Sequence, residues 1–203
     1  MKRNRVPTTA TMRMPETREI STGAASLRLA AMLLVLISAT CATAAPPVAG
    51  RPLPPQVLSE APGMHPFGKG RHSLWGVQMY EATLWIVGPQ WSDTEPHAID
   101  IEPNRTVPSD TLVKNAIAEM RDLKVGDERQ LGIWQAEMRK LIPGVRRGDQ
   151  VVIFCSDSKR TVAYLNDTRS GEVDDPSFCP AVMSVWLHPK TKHQAMRKSL
   201  LRH

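Results

Sequence analysis

The chain has 203 residues, of which 41% are hydrophobic and 5% are aromatic, and its formal net charge is +6. Residues 1–44 hold six Lys or Arg and two acidic residues, whereas residues 45–203 hold 20 basic and 18 acidic ones. This balance, and the lack of a basic stripe interleaved with aromatic residues, argue against nucleic-acid binding. Residues 45–203 are numerous enough to bury one hydrophobic core.

The N-terminus has the pattern of a secretory signal. Arg28 precedes an apolar run at residues 29–37, and Ala42-Thr43-Ala44 fits the small-residue cleavage pattern. The run is too short to cross a bilayer comfortably. We therefore expect residues 1–44 to be removed, with no membrane span left, and the protein to be periplasmic or secreted. An uncleaved anchor and, because of Cys41, a lipoprotein are the alternatives.

Residues 45–66 are rich in proline and show no hydrophobic period. This composition predicts an extended, disordered leader rather than a packed element. We therefore place the folded domain at residues 67–203.

Residues 68–87 are the most informative stretch of the chain. Apolar and polar residues alternate from Trp75 to Tyr80, and residues 82–87 are apolar on both faces. This pattern predicts one long strand that is covered on both sides and central in a sheet. Glu81 interrupts one face, so we expect a bulge or a strand break near it.

The rest of the chain predicts a strand, two helices, a β-hairpin and two more helices. These elements are a strand at residues 98–101, a helix from Ser109 or Asp110, a helix between Gly126-Asp127 and Pro143-Gly144, strands at residues 150–155 and 161–165, a helix capped by Asp174 or Asp175 and a helix near residues 192–201. Turns are predicted at Asn166-Asp167 and Ser170-Gly171. The order favours an α+β domain, in which helices cover one face of an antiparallel sheet.

Two cysteines lie beyond the predicted signal, Cys155 and Cys179. In an exported protein such a pair is expected to form a disulfide, which would contribute about 3 kcal/mol for a loop of this size. Two buried free thiols are the alternative.

The common catalytic signatures are missing from the sequence, including the Gly-x-Ser-x-Gly, Cys-x-x-Cys and His-Glu-x-x-His motifs. The six histidines are scattered, and we expect neither a metal nor a cofactor. What remains is an anion clamp, in which Arg71 offers a fork for a carboxylate and Tyr80 a donor hydroxyl on an apolar body. Arg105 is a second candidate cation. The alternative is an exposed arginine and a core tyrosine.

Several segments resemble, in order, the exported bacterial branch of the chalcone isomerase-like proteins, over about residues 68–201. They are Gly68-Lys-Gly-Arg71, residues 75–85, Trp134, residues 142–145, Gly148-Asp149, residues 175–178, residues 185–191 and residues 197–201. The resemblance implies an open-faced β-sandwich, in which helices cover a large antiparallel sheet and leave a ligand cleft between the two layers.

The resemblance also implies roles for single residues. In plant chalcone isomerases a Gly-x-Gly-x-Arg segment supplies an arginine, which Arg71 matches with slightly different spacing. The following strand supplies a threonine, and that position falls on Tyr80. In the fatty-acid-binding relatives the same position is tyrosine, and the arginine and tyrosine hold the carboxylate. Asn115 is the candidate for the asparagine of the enzyme's helix-borne Tyr and Asn pair, but no tyrosine stands near it.

We therefore expect an exported, non-catalytic protein that binds a fatty acid or other small apolar carboxylate. Its candidate ligand-binding residues are Arg71, Tyr80, Arg105 and Asn115. One alternative is an intramolecular lyase of the chalcone isomerase type, in which Arg71 polarises the nucleophilic oxygen. Another is a structural or interaction module of the cell envelope whose cleft has collapsed.

Overall fold

The computed structural model describes residues 51–157 and 160–203. The predicted signal segment and residues 45–50 lie outside these ranges. Within them, six strands form one antiparallel sheet in chain order: β1 (His65–Leu74), β2 (Val77–Ile86), β3 (His97–Pro103), β4 (Val151–Cys155), β5 (Thr161–Leu165) and β6 (Thr168–Val173). The helices described are α1 (Pro55–Glu60), α2 (Ser109–Asp122), α3 (Glu128–Leu141), α4 (Phe178–Leu187) and α5 (Gln194–Leu201). None of these helices is long and apolar enough to cross a membrane.

The sheet has two unequal faces, because successive side chains of a strand point to opposite sides. Ile99 and Ile101 of β3 point to the inner face, which packs against α2, α3, α4 and α5 in the larger core. Ala98 points to the outer face, which belongs to a smaller core shared with α1. The antiparallel sheet and its helical layer confirm the predicted α+β class and the open-faced β-sandwich.

The predicted disordered leader is wrong for residues 51–66, which close the outer face. Leu53, Val57, Ala61 and Met64 are buried there, each at most 6% exposed, against outer-face side chains of β2 to β5. Their spacing of four, four and three residues is the helical period. Proline is compatible with the start of α1, because the first N–H groups of a helix have no partner within it. The proline content concealed this short amphipathic helix.

The predicted single long strand is a hairpin of two strands. Trp75 and Gly76 have positive φ values of 50° and 78°, and Leu74 pairs with Val77 across this two-residue turn, as in the tight turns that match strand twist. The stretch is not central, because β1 is the edge strand and β2 lies beside it. The predicted bulge lies two residues before Glu81, which itself pairs in register with both neighbouring strands.

The sequence pattern predicts no strand after Asn166-Asp167, yet β6 follows it directly. The turn itself is confirmed, with φ values of 49° and 67°. The second predicted turn, Ser170-Gly171, lies inside β6, near a register shift in its pairing with β5. A Cβ atom at Gly171 would lie 3.1 Å from Leu141 Cδ2. Glycine in this strand therefore allows the close approach of α3 rather than forming a turn.

The four predicted helices are present as α2 to α5. Asp127 caps α3, because its carboxylate accepts a hydrogen bond of 2.8 Å from the third N–H of the helix. Asp175 caps the turn that begins α4, because its carboxylate accepts from the Ser177 backbone N–H at 2.9 Å. It also accepts from Trp134 Nε1 at 3.0 Å and so ties α3 to the start of α4. Cys155 and Cys179 form the predicted disulfide, which joins β4 to α4 with Cα atoms 5.9 Å apart.

Candidate functional site

A cavity of about 700 Å³ lies between the inner face of the sheet and the helices. Its volume is within the range of roughly 300–1,000 Å³ that is typical of small-molecule sites. Most of its wall is aliphatic, with contributions that include Ile101, Leu112, Met138, Val151, Val182 and Val185. Trp75 is 93% exposed and Trp85 belongs to the outer-face core, so neither fills this space. The collapsed cleft considered from the sequence is therefore wrong.

One end of the cavity is polar, and we call it the polar end: His72, Tyr80, Glu119, Lys192 and His193. These side chains come from β1, β2, α2 and the segment before α5. The ring centroids of His72 and Tyr80 are 5.1 Å apart, and His193 meets His72 edge-on with centroids 4.7 Å apart. The fold thus gathers titratable groups from four separate parts of the chain at one point.

Tyr80 is held so that its hydroxyl can donate into the cavity. The indole Nε1 of Trp186 donates to the Tyr80 hydroxyl oxygen at 3.0 Å, and within the described residues the phenol hydrogen has no acceptor. Burial raises the pKa of Tyr80; the Trp186 hydrogen bond opposes this, and the charge on Glu119 adds to it. The phenol therefore keeps its proton at neutral pH and is available as a donor.

Glu119 and Lys192 form an ion pair that positions the segment before α5. Lys192 Nζ lies 2.5 Å from Glu119 Oε2, and Glu119 Oε1 accepts from Thr191 Oγ1 and the Lys192 backbone N–H, both at 3.1 Å. Burial acts to raise the pKa of Glu119, but the bonds from Lys192 outweigh it, and the pKa is lowered. Lys192 remains 59% exposed, so it can also attract an anion.

The two histidines are neutral hydrogen-bonding groups at physiological pH. Burial lowers the pKa of His72, and the nearby Lys192 charge lowers it further. Burial also lowers the pKa of His193, and His72 contributes in the same direction. Their pKa values therefore lie below the usual value of about 6.5. An anionic group at the polar end would meet a lysine, a phenol and two imidazoles that can donate to it, beside a Glu119 carboxylate whose charge is offset by its pairing with that lysine.

Arg71 does not line this cavity, which corrects the predicted clamp. Its Nε donates to Glu81 Oε1 at 2.6 Å on the outer face, and its side chain is 72% exposed. Lys69 Nζ lies 2.7 Å from the other Glu81 oxygen. Glu81, which interrupts the apolar face in the sequence, is therefore held by ion pairs with Lys69 and Arg71.

A single bulge decides which side chain faces Tyr80. The hairpin turn pairs Leu74 with Val77, and unbroken pairing from there would place Arg71 opposite Tyr80. The register instead shifts by one residue between Ser73 and His72, which leaves Met79 of β2 without a partner. Because a shift of one residue exchanges the two faces, His72 lies opposite Tyr80 and Arg71 lies opposite Glu81.

The other two predicted site residues lie at different places. Asn115 lines the cavity from α2 and is exposed, so it stands at the rim. Arg105 lies in the exposed loop after β3 and does not line the cavity. His72, His193 and Lys192 were missed, because their proximity depends on the bulge and on long-range packing, and the sequence carries no spacing signal for either.

One group of metal-ligand side chains converges within the described ranges: His97, Cys155 and Cys179. The two sulfur atoms are bonded to each other, so neither is a thiolate that could hold a metal ion. His97 Nε2 lies 3.5 Å from Cys179 Sγ, and burial lowers the pKa of this histidine. This group is a structural cross-link between sheet and helix.

The chain has a structural relative of known structure and matches the model of one protein family. The crystal structure of a fatty-acid binding protein from Arabidopsis thaliana has a similar fold, with a TM-score of 0.54 and 11% identity, over 69% of this chain and 87% of that chain. At this identity the likeness shows the fold alone. No curated protein sequence matches the chain. A model of the family described as chalcone isomerase-like matches residues 47–202. Because this match covers most of the sequence, the chain belongs to the chalcone isomerase-like family.

Proposed function

We propose that this protein is a non-catalytic carrier that holds one fatty acid or similar apolar carboxylate in the inner-face cavity. The observation that carries the proposal is an aliphatic cavity of about 700 Å³ with a donor-rich polar end. The fatty-acid binding protein from Arabidopsis thaliana has a similar fold, which supports this choice of ligand class. The carboxylate would lie at the polar end, and the hydrocarbon chain would occupy the aliphatic part.

The head group would be recognised by donors rather than by a buried arginine. Tyr80 donates its phenol hydrogen, and Lys192 supplies a positive charge that its pairing with Glu119 leaves partly exposed. A hydrogen bond to a charged group contributes roughly 1.5–3 kcal/mol. The tail would add affinity through burial of methylene groups, at about 0.8 kcal/mol each.

A chain-length series tests both parts of the proposal. Saturated fatty acids of increasing length are titrated against the protein by displacement of a fluorescent fatty acid. Affinity should rise roughly fourfold for each methylene until the cavity is full, and methyl esters should bind at least tenfold more weakly than the free acids. Native mass spectrometry of protein purified from its own cell should show a co-purified ligand. An apo protein that binds no acid of any length would disprove the carrier.

The role of Tyr80 can be tested against a matched control, because the chain has one other tyrosine, Tyr164. Tyr80→Phe should weaken binding of the free acid by about tenfold and binding of the methyl ester by less, because an uncharged ester carbonyl accepts a weaker hydrogen bond. Tyr164→Phe is the control, since Tyr164 is buried in the outer-face core. If the two variants bound the free acid with equal affinity, Tyr80 would not be part of the head-group site.

Export is part of the proposal, because the signal-like N-terminus and the Cys155–Cys179 disulfide both fit an oxidising compartment. N-terminal sequencing of the protein from its own cell should give a chain that begins at Ala45. A chain that keeps residues 1–44 in a soluble cytoplasmic fraction would contradict export.

A further inference from the structure

The tip of the first hairpin, residues 74–77, is an exposed apolar surface, which we call the hairpin tip. Trp75 is 93% exposed, Leu74 45% and Val77 42%, and these are three of the five large hydrophobic residues that are exposed within the described ranges. The indole at position 75 has no packing role in the fold. Its φ of 50° also belongs to a turn position where Gly, Asn or Asp is usual. Folding alone therefore gives no reason for tryptophan here.

Three arginines lie at the same end of the sheet as the hairpin tip. The loop carrying Arg105 is fixed beside β2, because the Asn104 N–H donates to the Met79 carbonyl at 2.8 Å. The loop carrying Arg146 and Arg147 is fixed next to it, because the Gly148 N–H donates to the Pro103 carbonyl at 3.2 Å. All three arginines are exposed.

These arginines form no side-chain ion pair within the described residues, although one carboxylate, that of Asp149, lies close to Arg146. Asp149 accepts from the side chain of Asn166 and from the backbone N–H of Arg146, and the charge of Arg146 contributes to the lowered pKa of Asp149. This end of the sheet thus combines the apolar hairpin tip with three exposed arginines.

The hairpin tip is also continuous with the cavity. Leu74 is exposed and also lines the cavity. Met79, near the start of β2, lines the cavity as well. Val107 and Val145, which pair with each other at the base of the arginine loops, line it as well. The cavity wall therefore reaches the surface that the tip and the arginines form.

We propose that the hairpin tip and Arg105, Arg146 and Arg147 dock the protein on a lipid bilayer with anionic head groups, so that the ligand passes between bilayer and cavity. Tryptophan prefers the level of the head groups in a bilayer, and arginine binds phosphate groups with its planar fork. A stable protein partner needs about 800 Å² on each side, which three side chains on a two-residue turn do not provide. The passage of ligand rests on the proposed carrier function, whereas the docking does not.

Vesicle sedimentation tests the docking directly. The protein should sediment with vesicles of equal parts phosphatidylglycerol and phosphatidylcholine, less with pure phosphatidylcholine, and less as salt is raised. Trp75→Ser should reduce sedimentation about tenfold, and so should the triple change of Arg105, Arg146 and Arg147 to Glu. Ile133→Ser is the matched control, because Ile133 is 48% exposed on α3 and does not line the cavity.

The outcomes separate the docking from the carrier function. Trp75→Ser should keep the wild-type affinity for a fatty acid in solution and transfer that acid more slowly from vesicles. Wild-type protein that binds fatty acid but ignores both kinds of vesicle, or a Trp75→Ser variant that sediments as wild type does, would overturn the docking. Trp75-dependent docking by a protein that binds no fatty acid would retain the docking and reject the carrier. Trp75-dependent self-association without vesicle binding, seen by sedimentation velocity, would assign the tip to a second copy of the chain and overturn the proposal.

Discussion

The two faces of the sheet are both covered, but only one of them leaves room for a ligand. On the inner face, α2, α3, α4 and the segment before α5 line a cavity of about 700 Å³. On the outer face, α1 and its flanking residues fill the space above Trp85 and Phe154, which are 7% and 0% exposed. The difference follows from the covering element. A short segment can follow the sheet surface closely, whereas helices packed against one another span the sheet and can leave a gap beneath them.

The two faces also differ in where their buried polar groups lie, because only those of the inner face border the cavity. Tyr80 and Glu119 at the polar end have partners and border the cavity. Asp100, on the outer face, is 1% exposed, and neither of its oxygens has a hydrogen-bond partner within the described residues. The polar groups of the inner face therefore border the cavity, while the outer face holds a buried carboxyl group whose burial favours the protonated form.

Filling the cavity should give the largest effect, because it removes the space that distinguishes the inner face from the outer one. Ala116 lines the cavity from α2, and Ala116→Trp should lower fatty-acid affinity at least about a hundredfold, because the added indole occupies the space of the ligand tail. Ala136→Trp on the exposed side of α3 is the control and should bind as wild type does. The measurement is fluorescence displacement, with thermal unfolding to show that both variants are folded. If Ala116→Trp bound fatty acid with wild-type affinity, the ligand would have to bind outside this cavity.

The buried acid of the outer face should give the next largest effect, on stability rather than binding. Burial raises the pKa of Asp100 from 3.8 to about 7, and Glu102 adds to this, while Gln150, Lys69 and Arg51 oppose it. Between these values the folded chain keeps a proton that the unfolded chain loses. The free energy of unfolding should therefore fall as pH rises from about 4 to about 7 and level off above.

Asp100→Asn should remove this slope and stabilise the protein by on the order of 2 kcal/mol at about pH 8, because the amide carries no charge. Asp110→Asn at the start of α2 is the control, since the Asp110 side chain is 82% exposed and does not contribute to the raised pKa of Asp100. Urea unfolding at several pH values measures both variants. A slope that persists in Asp100→Asn would assign the pH dependence to another group. Ligand affinity should stay as in wild type, because Asp100 does not line the cavity.

The sequence predicts the helical layer well, because the apolar period of α2 and α3 is regular and Asp127 is a clear cap. It also locates Tyr80 in the cavity. The rest depends on features without a local signature. The turn at Trp75-Gly76 lacks the usual Asn-Gly or Asp-Gly pair, α1 is hidden by its prolines, and β6 is short and polar. The face of Arg71 depends on one unpaired residue, Met79, which no pattern of alternation reveals in advance.

The smallest expected effect belongs to Arg71, and it tests that bulge. Arg71→Ala should change fatty-acid affinity less than about twofold and stability by less than about 0.5 kcal/mol, because the exposed ion pair with Glu81 contributes little. Without the bulge, Arg71 would face Tyr80 and the same change would cost about tenfold or more in affinity, as expected for a lost charged hydrogen bond. If Arg71→Ala instead weakened fatty-acid binding of the protein by tenfold, the assigned faces of β1 would be reversed.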